Sequence, residues 1–449
     1  MASFRPRLTP DPVPAIDAAT AAALTAGPLE QELRTLVEGL TPEPATPPGR
    51  GRPCILPALA LWSAVVVSVL RGLHEQTAIW RRLTELGLWA YPRFPISDQA
   101  VYHRLERDGT VFLERLFTRI SAILATRLAP YQATHLAHFA TGVYALDEST
   151  LDQVARRLPA LHDVPPGDRQ LLPGKLSALF DLRRQQFTRI EHQTNPAQNE
   201  KVAARTMVES LGRGALLLAD LGYFGFRWFD DLTDQGLWWI SRLRAKTSYE
   251  IIQVRYDRGG ISEAVVWLGA HRSDRAKHAV RLVRFRLGTV EYAYLTNVLD
   301  PVVLPIGEIA RLYARRWDIE LAFRLIKQYL GLHLLWSSKT EVVLIQVWAV
   351  LIIAQIVQAL RVEIAARAEV DPFEVSLPLL IKYAPQYAAL GRSVVDAFVN
   401  EGWRMGYLRP SRRTRIEAPS ISPLLLTPLP PNLILERRPR YANKDCGLR

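Results

Sequence analysis

The sequence predicts an α/β protein whose sheet is extended by a β-rich insertion and whose core is preceded by a helical region. Residues 54–135 show helical periodicity throughout, and near residue 141 the pattern changes to alternating strands. Residues 249–297 then hold several short strands without a helical period. Because 449 residues exceed what one hydrophobic core usually supports, two or three structural regions are expected.

Composition shifts and changes of period divide the chain into six segments. Residues 1–53 form a Pro/Ala-rich arm and linker, and residues 54–135 a helical, candidate DNA-binding domain. The first part of the α/β core covers 136–248, the β insertion 249–304, and a polar helix with the helix after it 305–370. Residues 371–449 are read as a helical region that ends in an extended Pro/Arg-rich tail.

The helical region contains one helix with a polar beginning. Ser97 or Asp98 can cap this helix, which is predicted to run over "SDQAVYHRLERDGTVFLERLFTRISAILATRL", residues 97–128. Its first turns are expected to expose Gln99, Tyr102, His103, Arg104 and Arg107. That arrangement suits a helix-turn-helix type of DNA contact, with His103, Arg104 and Arg107 as candidate contacts. The solvated face of an ordinary helix bundle explains the same pattern equally well.

Two carboxylates stand at the ends of predicted strands. The strand "GVYALD" ends at Asp147, and "ALLLAD" ends at Asp220, with two further strands and a helix between them. Open α/β sheets build their sites at the carboxyl ends of strands. Taken singly, Asp147 can stabilise a turn and Asp220 can cap the following helix.

A third carboxylate lies on a helix predicted after Pro305. The stretch "YARRWDIELAFRLIK" puts Tyr313, Arg316, Glu320 and Lys327 at offsets 0, 3, 7 and 14, where a helix normally carries apolar residues. The helix therefore presents a polar stripe. Taken singly, Glu320 can simply pair with a neighbouring arginine.

Together, the three carboxylates can hold two divalent cations, and the stripe supplies cationic side chains for a phosphate. Such a pair of metal ions activates a water or 3′ hydroxyl on one side of a phosphodiester and stabilises the leaving oxygen on the other. Arg316 and Lys327 would bind the phosphate, and Tyr313 adds a neutral donor.

Charge and composition narrow the class of partner. The net charge of +12 and a pI near 9.8 favour a polyanion such as nucleic acid or an anionic membrane surface, although biased codon supply explains much of the arginine excess equally well. Cys54 and Cys446 form no C-x-x-C or Cys/His cluster, so the sequence supports neither a disulfide framework nor a zinc site, and a reducing cytoplasm fits. Residues 342–360 are apolar enough to span a bilayer, but three glutamines favour a buried core helix and no membrane partner.

The spacing Tyr313-x2-Arg316-x3-Glu320-x6-Lys327 resembles the Y-R-E-K signature of one branch of bacterial insertion-sequence transposases, which are cut-and-paste D-D-E enzymes. The resemblance extends to "YALDEST" and "ADLGYFG", and it spans about residues 141–361. It implies a ribonuclease H-like catalytic core with a β insertion.

The resemblance also implies roles for individual residues. Asp147, Asp220 and Glu320 would form the catalytic, metal-binding triad for two Mg²⁺ ions, with Mn²⁺ as a substitute. Tyr313, Arg316 and Lys327 would contact phosphates near the transposon end. In relatives an aromatic residue of the insertion stacks on a flipped base, and "EYAYLTN" makes Tyr292 the candidate, where Trp is more usual. Cross-strand packing is the alternative role of Tyr292.

The expected function is that of a DNA transposase that binds the inverted-repeat ends of its element, cleaves them and joins them to target DNA. Its expected partners are double-stranded DNA and a second protomer in the synaptic complex. The expected location is the cytoplasm, in association with the nucleoid. A catalytically inactive, DNA-binding descendant of a transposase is the alternative, but all three carboxylates and the cations are retained.

Overall fold

The computed structural model describes residues 28–40, 55–73, 75–89, 91–151, 175–193, 199–270, 274–332, 335–337, 339–411 and 417–441. It confirms the α/β class, with one nine-stranded sheet and a set of helices. The chain divides into two compact units, one holding described residues up to 127 and 324–409, the other the described residues 128–323 and 410–441. Cys54, Cys446 and most of the arm 1–53 lie outside the described residues.

All nine strands of the sheet lie in the second unit, in the order β3-β2-β1-β4-β5-β9-β8-β7-β6. Pairing is antiparallel between β1, β2 and β3, parallel between β1, β4 and β5, and antiparallel from β5 through β9 to β6. The strands are β1 Val143–Thr150, β2 Lys175–Asp181, β3 Gln186–Gln193, β4 Leu216–Ala219, β5 Trp238–Arg242, β6 Tyr249–Arg258, β7 Ile261–Leu268, β8 Ala279–Leu287 and β9 Val290–Thr296.

The predicted insertion therefore does not form a separate sheet. Strands β6–β9 extend the edge of the core sheet through the pairing of β5 with β9. Gly259 and Gly260 form the turn between β6 and β7 as predicted, at φ values of +62° and +76° that favour glycine.

The first unit is helical. Its helices are α1 Pro28–Glu38, α2 Ala58–Leu70, α3 Gln76–Arg81, α4 Asp98–Asp108, α5 Val111–Arg127, α10 Thr340–Arg367, α11 Leu377–Ala389 and α12 Val394–Asn400. Ser97 caps α4, since its Oγ accepts a hydrogen bond from the Ala100 amide at 3.2 Å. The single helix predicted over 97–128 is wrong in one respect, because Gly109 at φ +64° separates α4 from α5.

The second unit holds α6 Glu200–Val208, α7 Phe226–Asp234 and α8 Ile306–Arg315, and α9 Trp317–Arg324 ends at the unit boundary. Arg316 joins α8 to α9 with helical dihedral angles, so the helix predicted after Pro305 is observed. Lys327 falls in the first unit, within a π-helical turn over Leu325–Tyr329.

The apolar helix α10 belongs to the first unit. The sequence predicts a place for it in the α/β core, and that prediction is wrong. The helix is long and apolar enough to cross a membrane, yet 89% of its most apolar window is buried in the fold. Gln346 accepts from the Trp336 amide at 2.9 Å and Gln355 donates to Ser121 at 2.8 Å. Because these amides are satisfied inside the unit, α10 is a core helix, as its glutamines predict.

The C-terminal tail is extended, as predicted, but it packs on the second unit. Arg440 exchanges backbone hydrogen bonds with Arg275, and Leu435 accepts from the Ala279 amide at 2.8 Å. Arg437 donates to the carbonyl of Leu268 at 2.7 Å. The described part of the tail is therefore a structural strap along the inserted strands.

Candidate active site

The sheet brings Asp147 and Asp220 to the same edge. Asp147 lies near the end of β1, and Asp220 follows β4 directly, with Leu146 and Ala219 paired in the parallel register. Parallel neighbours run to the same edge, so Asp147 and Asp220 lie side by side where the pairing of β1 with β4 ends. Asp220 follows the end of its strand as predicted, whereas Asp147 lies within β1. Strand β1 continues to Thr150, three residues beyond its predicted end.

The carboxylates converge on one guanidinium. Arg316 is only 4% exposed, and its Nη2 donates to Glu320 Oε1 at 2.7 Å. Its Nη1 lies 3.8 Å from Asp147 Oδ2 and its Nη2 lies 4.0 Å from Asp220 Oδ1. The structure therefore unites Asp147, Asp220, Glu320 and Arg316 around a single positive charge.

The electrostatics of the site follow from this crowding. Burial raises the pKa of Asp147 to about 7; Glu320 and Asp220 also raise it, while the Glu148 amide and Arg316 lower it. Burial lowers the pKa of Arg316, but Asp220, Tyr313 and Glu320 outweigh it and the net direction is upward. The guanidinium thus carries a fixed positive charge where three acids meet.

The site also contains buried donors without a hydrogen-bond partner among the described residues. They are the hydroxyls of Tyr313 and Tyr223 and the Nε and Nη1 groups of Arg316. Burial raises the pKa of Tyr313 to about 12, so its hydroxyl stays protonated. Buried polar groups are normally hydrogen-bonded, and unsatisfied donors here fit a site that binds an oxygen-rich ligand such as phosphate.

The donor set fits a hard divalent cation in its chemistry, because carboxylate oxygens are the ligands that Mg²⁺ prefers. Within the described parts of the chain, however, no three acidic, His or Cys side chains are arranged to hold a metal ion directly. Arg316 lies among the three acids, which are grouped around it and not around an open centre.

Tyr292, the predicted base-stacking residue, lies in a row of aromatic side chains. Tyr292 is half-buried on β9 opposite Phe285, and their rings stack at 5.4 Å. Tyr294 continues the row, with its ring 6.4 Å from that of Tyr292 and 5.2 Å from that of Tyr313. Cross-strand packing of Tyr292 is thus observed, and its base-stacking role stays a prediction.

The candidate contacts of α4 differ in their exposure. The side chains of His103 and Arg107 are 78% and 70% exposed. Arg104 was expected to be exposed, but it is largely buried. It pairs with Asp108 and donates to the carbonyl of Leu56 at 3.2 Å. Arg104 thus links α4 to the residues before α2, and the DNA roles of all three residues stay predictions.

Sequence reasoning missed one cation at this edge. Arg242 is exposed at the end of β5, opposite Tyr294, and its charge lowers the pKa of Tyr313. The available signal was the position of Arg242 near the carboxyl end of a predicted strand, the same kind of position that singled out Asp147 and Asp220.

The fold and site together define an α/β protein with an acidic triad and a buried cation at the carboxyl edge of its sheet. Residues 166–356 match the family of the transposase DDE domain. The chain is also similar to bacterial insertion-sequence transposases. The matched region contains Asp220 and Glu320 and begins after Asp147.

Two curated relatives illustrate the relationship. The transposase InsG of insertion sequence IS4 from Escherichia coli (strain K12) is 26% identical over 60% of this chain and 62% of that protein. The transposase of IS231B from Bacillus thuringiensis subsp. berliner is 26% identical over 33% of this chain and 30% of that protein. The chain thus matches less than two thirds of the length of either relative.

Among solved structures, the piggyBac transposase synaptic complex with hairpin DNA aligns with 91% of this chain and 84% of that chain. The TM-score is 0.38 and the sequence identity 11%, so the description of the fold rests on the strand order of this chain.

Proposed function

We propose that this protein is a DNA transposase, a Mg²⁺-dependent nuclease and strand transferase that cleaves the ends of its element and joins them to target DNA. The observation that carries the proposal is the grouping of Asp147, Asp220 and Glu320 within 4.0 Å of Arg316 at the carboxyl edge of the sheet. The match of residues 166–356 to the transposase DDE domain supports it.

A ribonuclease H-like core is the finer description of the fold that we propose. Its support is the order β3-β2-β1-β4-β5, with three antiparallel strands followed by two parallel additions, and helix α6 between β3 and β4. In this description β6–β9 are the insertion and α9 carries the last acid of the triad.

In the proposed reaction the three carboxylates would hold the divalent cations, Mg²⁺ or Mn²⁺. When bound, the metal ions would activate the attacking hydroxyl and stabilise the leaving oxygen. The side chains of the second unit orient the phosphodiester: Arg316 neutralises its charge, and the protonated Tyr313 donates a hydrogen bond. Lys327, in the first unit, is proposed as a further phosphate contact.

The proposed partners are the inverted-repeat ends of the element and target DNA, in keeping with a net charge of +12. We also propose a homodimer in the synaptic complex, the Y-R-E-K branch as the closer relationship, and a cytoplasmic, nucleoid-associated location. The test is a nicking assay with purified protein and a plasmid that carries the inverted repeats flanking the gene. Absence of nicking in Mg²⁺ and Mn²⁺ despite specific end binding would favour the inactive descendant.

Binding of metal should depend on pH through Asp147. Its pKa of about 7 is raised above the usual value, so Asp147 stabilises the metal-free fold at acidic pH and this stability is lost as pH rises through 7. A metal ion must displace the proton, and the apparent affinity for Mn²⁺ should therefore fall about tenfold per pH unit below about 7. Titrations at several pH values measure this slope, and a pH-independent affinity would contradict it.

Substitutions of Tyr292 should separate base stacking from packing. If the ring stacks on an extruded base, Tyr292→Ala should remove a stacking contribution of about 1–3 kcal/mol and slow second-strand release more than first-strand nicking. Tyr292→Trp should keep or improve the rates of both cleavage steps. If Tyr292 only packs on Phe285, Tyr292→Ala should lower the melting temperature and slow both steps equally. Rates of both steps and the melting temperature of both variants decide between the roles.

A further inference from the structure

A fourth acid lies beside the proposed triad. Glu200 is the first residue of α6, and its carboxylate lies over the backbone of Gly222, two residues after Asp220. A Cβ added at Gly222 would lie only 2.2 Å from Glu200 Oε2. Glycine at position 222 therefore lets the Glu200 carboxylate lie this close to the turn that carries Asp220.

The charge of Glu200 is not balanced by a direct partner. Glu200 is half-buried, and in the described parts of the chain it makes neither a hydrogen bond nor an ion pair. Burial raises its pKa, as do Glu148 and Asp220, and the charges of Lys175 and Lys201 oppose this shift. A partly buried acid that lies among other acids without a directly paired cation is costly unless a bound cation compensates it.

The neighbouring Glu148 does not share this property. Lys175, which is 3% exposed, holds Glu148 Oε2 at 2.5 Å, and Ser177 donates to Glu148 Oε1 at 2.6 Å. Gln193 donates to Ser177 at 2.7 Å and completes a buried network. Glu148 is thus committed to the interior of the sheet, which leaves Glu200 as the acid without a direct partner among the described residues.

A buried hydroxyl points to a missing ligand at the same place. Tyr223 is 2% exposed, and its hydroxyl has no hydrogen-bond partner in the described parts of the chain. Besides burial, four carboxylates raise its pKa, those of Glu148, Asp147, Glu200 and Asp220, so the hydroxyl lies near both Glu200 and the triad. An unsatisfied buried donor is expensive, and it is retained where a further group completes its hydrogen bonding.

We propose that Glu200 is a fourth carboxylate of the cation site, which binds a divalent metal ion together with Asp220, and that the Tyr223 hydroxyl is the donor that orients these carboxylates. The proposal rests on the proposed function, because it needs the triad to bind metal. Glu200 is then a metal ligand, and Tyr223 is a positioning residue.

Both residues also have plain structural roles against which the proposal is tested. Glu200 is an acid in the first turn of α6, where it interacts favourably with the helix dipole. Tyr223 packs against Trp228, with ring centroids 6.3 Å apart. Neither role predicts an effect on metal binding.

The experiment is a titration of the full-length, DNA-free protein with Mn²⁺, in which bound Mn²⁺ is measured by electron paramagnetic resonance and stability by thermal melting. Glu200→Gln should weaken Mn²⁺ binding about 10–100-fold and should leave the melting temperature in EDTA unchanged or higher. Tyr223→Phe should weaken binding less and should not lower the melting temperature in EDTA. Glu341→Gln is the matched control, an exposed acid in the first turn of α10, and should bind Mn²⁺ like the wild type.

The Asp220→Asn variant separates failure of this proposal from failure of the proposed function. If Asp220→Asn loses Mn²⁺ binding while Glu200→Gln binds like the wild type, the triad binds metal and the fourth carboxylate is wrong. If neither substitution changes Mn²⁺ binding, or the wild type binds none, both proposals are overturned. If Glu200→Gln loses binding and the melting temperature in EDTA falls as well, the charge supports the fold and the metal-ligand role is overturned.

Discussion

Asp220→Asn should abolish DNA cleavage while the protein stays folded. The side chain of Asp220 is 47% exposed at the end of β4, so the amide fits without loss of packing. The amide removes one negative charge from the proposed cation site. Changes to groups that only support metal ligands lower metal affinity or activity about 10–100-fold, so the loss of a ligand should lower nicking by more than about 100-fold. The measurement is single-strand nicking in Mg²⁺, next to the melting temperature.

Asp257→Asn is the matched control for this variant. Asp257 is exposed at the end of β6, in the same unit but on an outer strand of the sheet. Its substitution should leave nicking unchanged. Asp220→Asn that nicks at nearly the wild-type rate would disprove the assignment of the triad.

Arg316→Ala should destabilise the DNA-free protein and strengthen its binding of metal. Removal of the guanidinium leaves Asp147, Asp220 and Glu320 without their shared cation. Breaking a fully buried pair costs about 3–5 kcal/mol, and the partial exposure of these acids reduces the expected loss to about 1–3 kcal/mol. Mn²⁺ no longer competes with the guanidinium, so its affinity for the DNA-free protein should rise.

Arg324→Ala provides the control on α9, the helix that begins directly after Arg316. Arg324 is exposed at the end of α9 and makes no ion pair in the described parts of the chain. Its loss should change neither the melting temperature nor Mn²⁺ affinity. Wild-type stability and unchanged Mn²⁺ affinity in Arg316→Ala would show that the guanidinium does not compensate the triad.

Arg316→Ala and Lys327→Ala should also change the salt dependence of binding to the transposon end. If Arg316 and Lys327 each neutralise a phosphate, Arg316→Ala and Lys327→Ala should each lower the magnitude of the salt slope by about one. Binding measured over a range of salt concentrations provides both slopes. Two unchanged slopes with intact folding would exclude phosphate contact by the polar stripe.

Local patterns predicted most of the elements that build the site. The strands that lead to Asp147 and Asp220 and the helix of Glu320 all lie where the alternation and the 3.6-residue period place them. Local patterns failed at Gly109, where a single residue with φ +64° divides a helix without disturbing its apolar period. They also placed α10 in the catalytic core, because an apolar helix carries no information about which unit buries it.

The sequence by itself determined the α/β class, the three acids and the polar stripe, because strand ends and helix faces follow from the backbone period of each segment. Only the tertiary structure decided what these side chains meet. It placed Arg316 among the three acids, turned Arg104 to Asp108 and brought Glu200 to Gly222. These contacts depend on the packing of segments distant in sequence or on the choice of rotamer, and neither leaves a periodic signal along the chain.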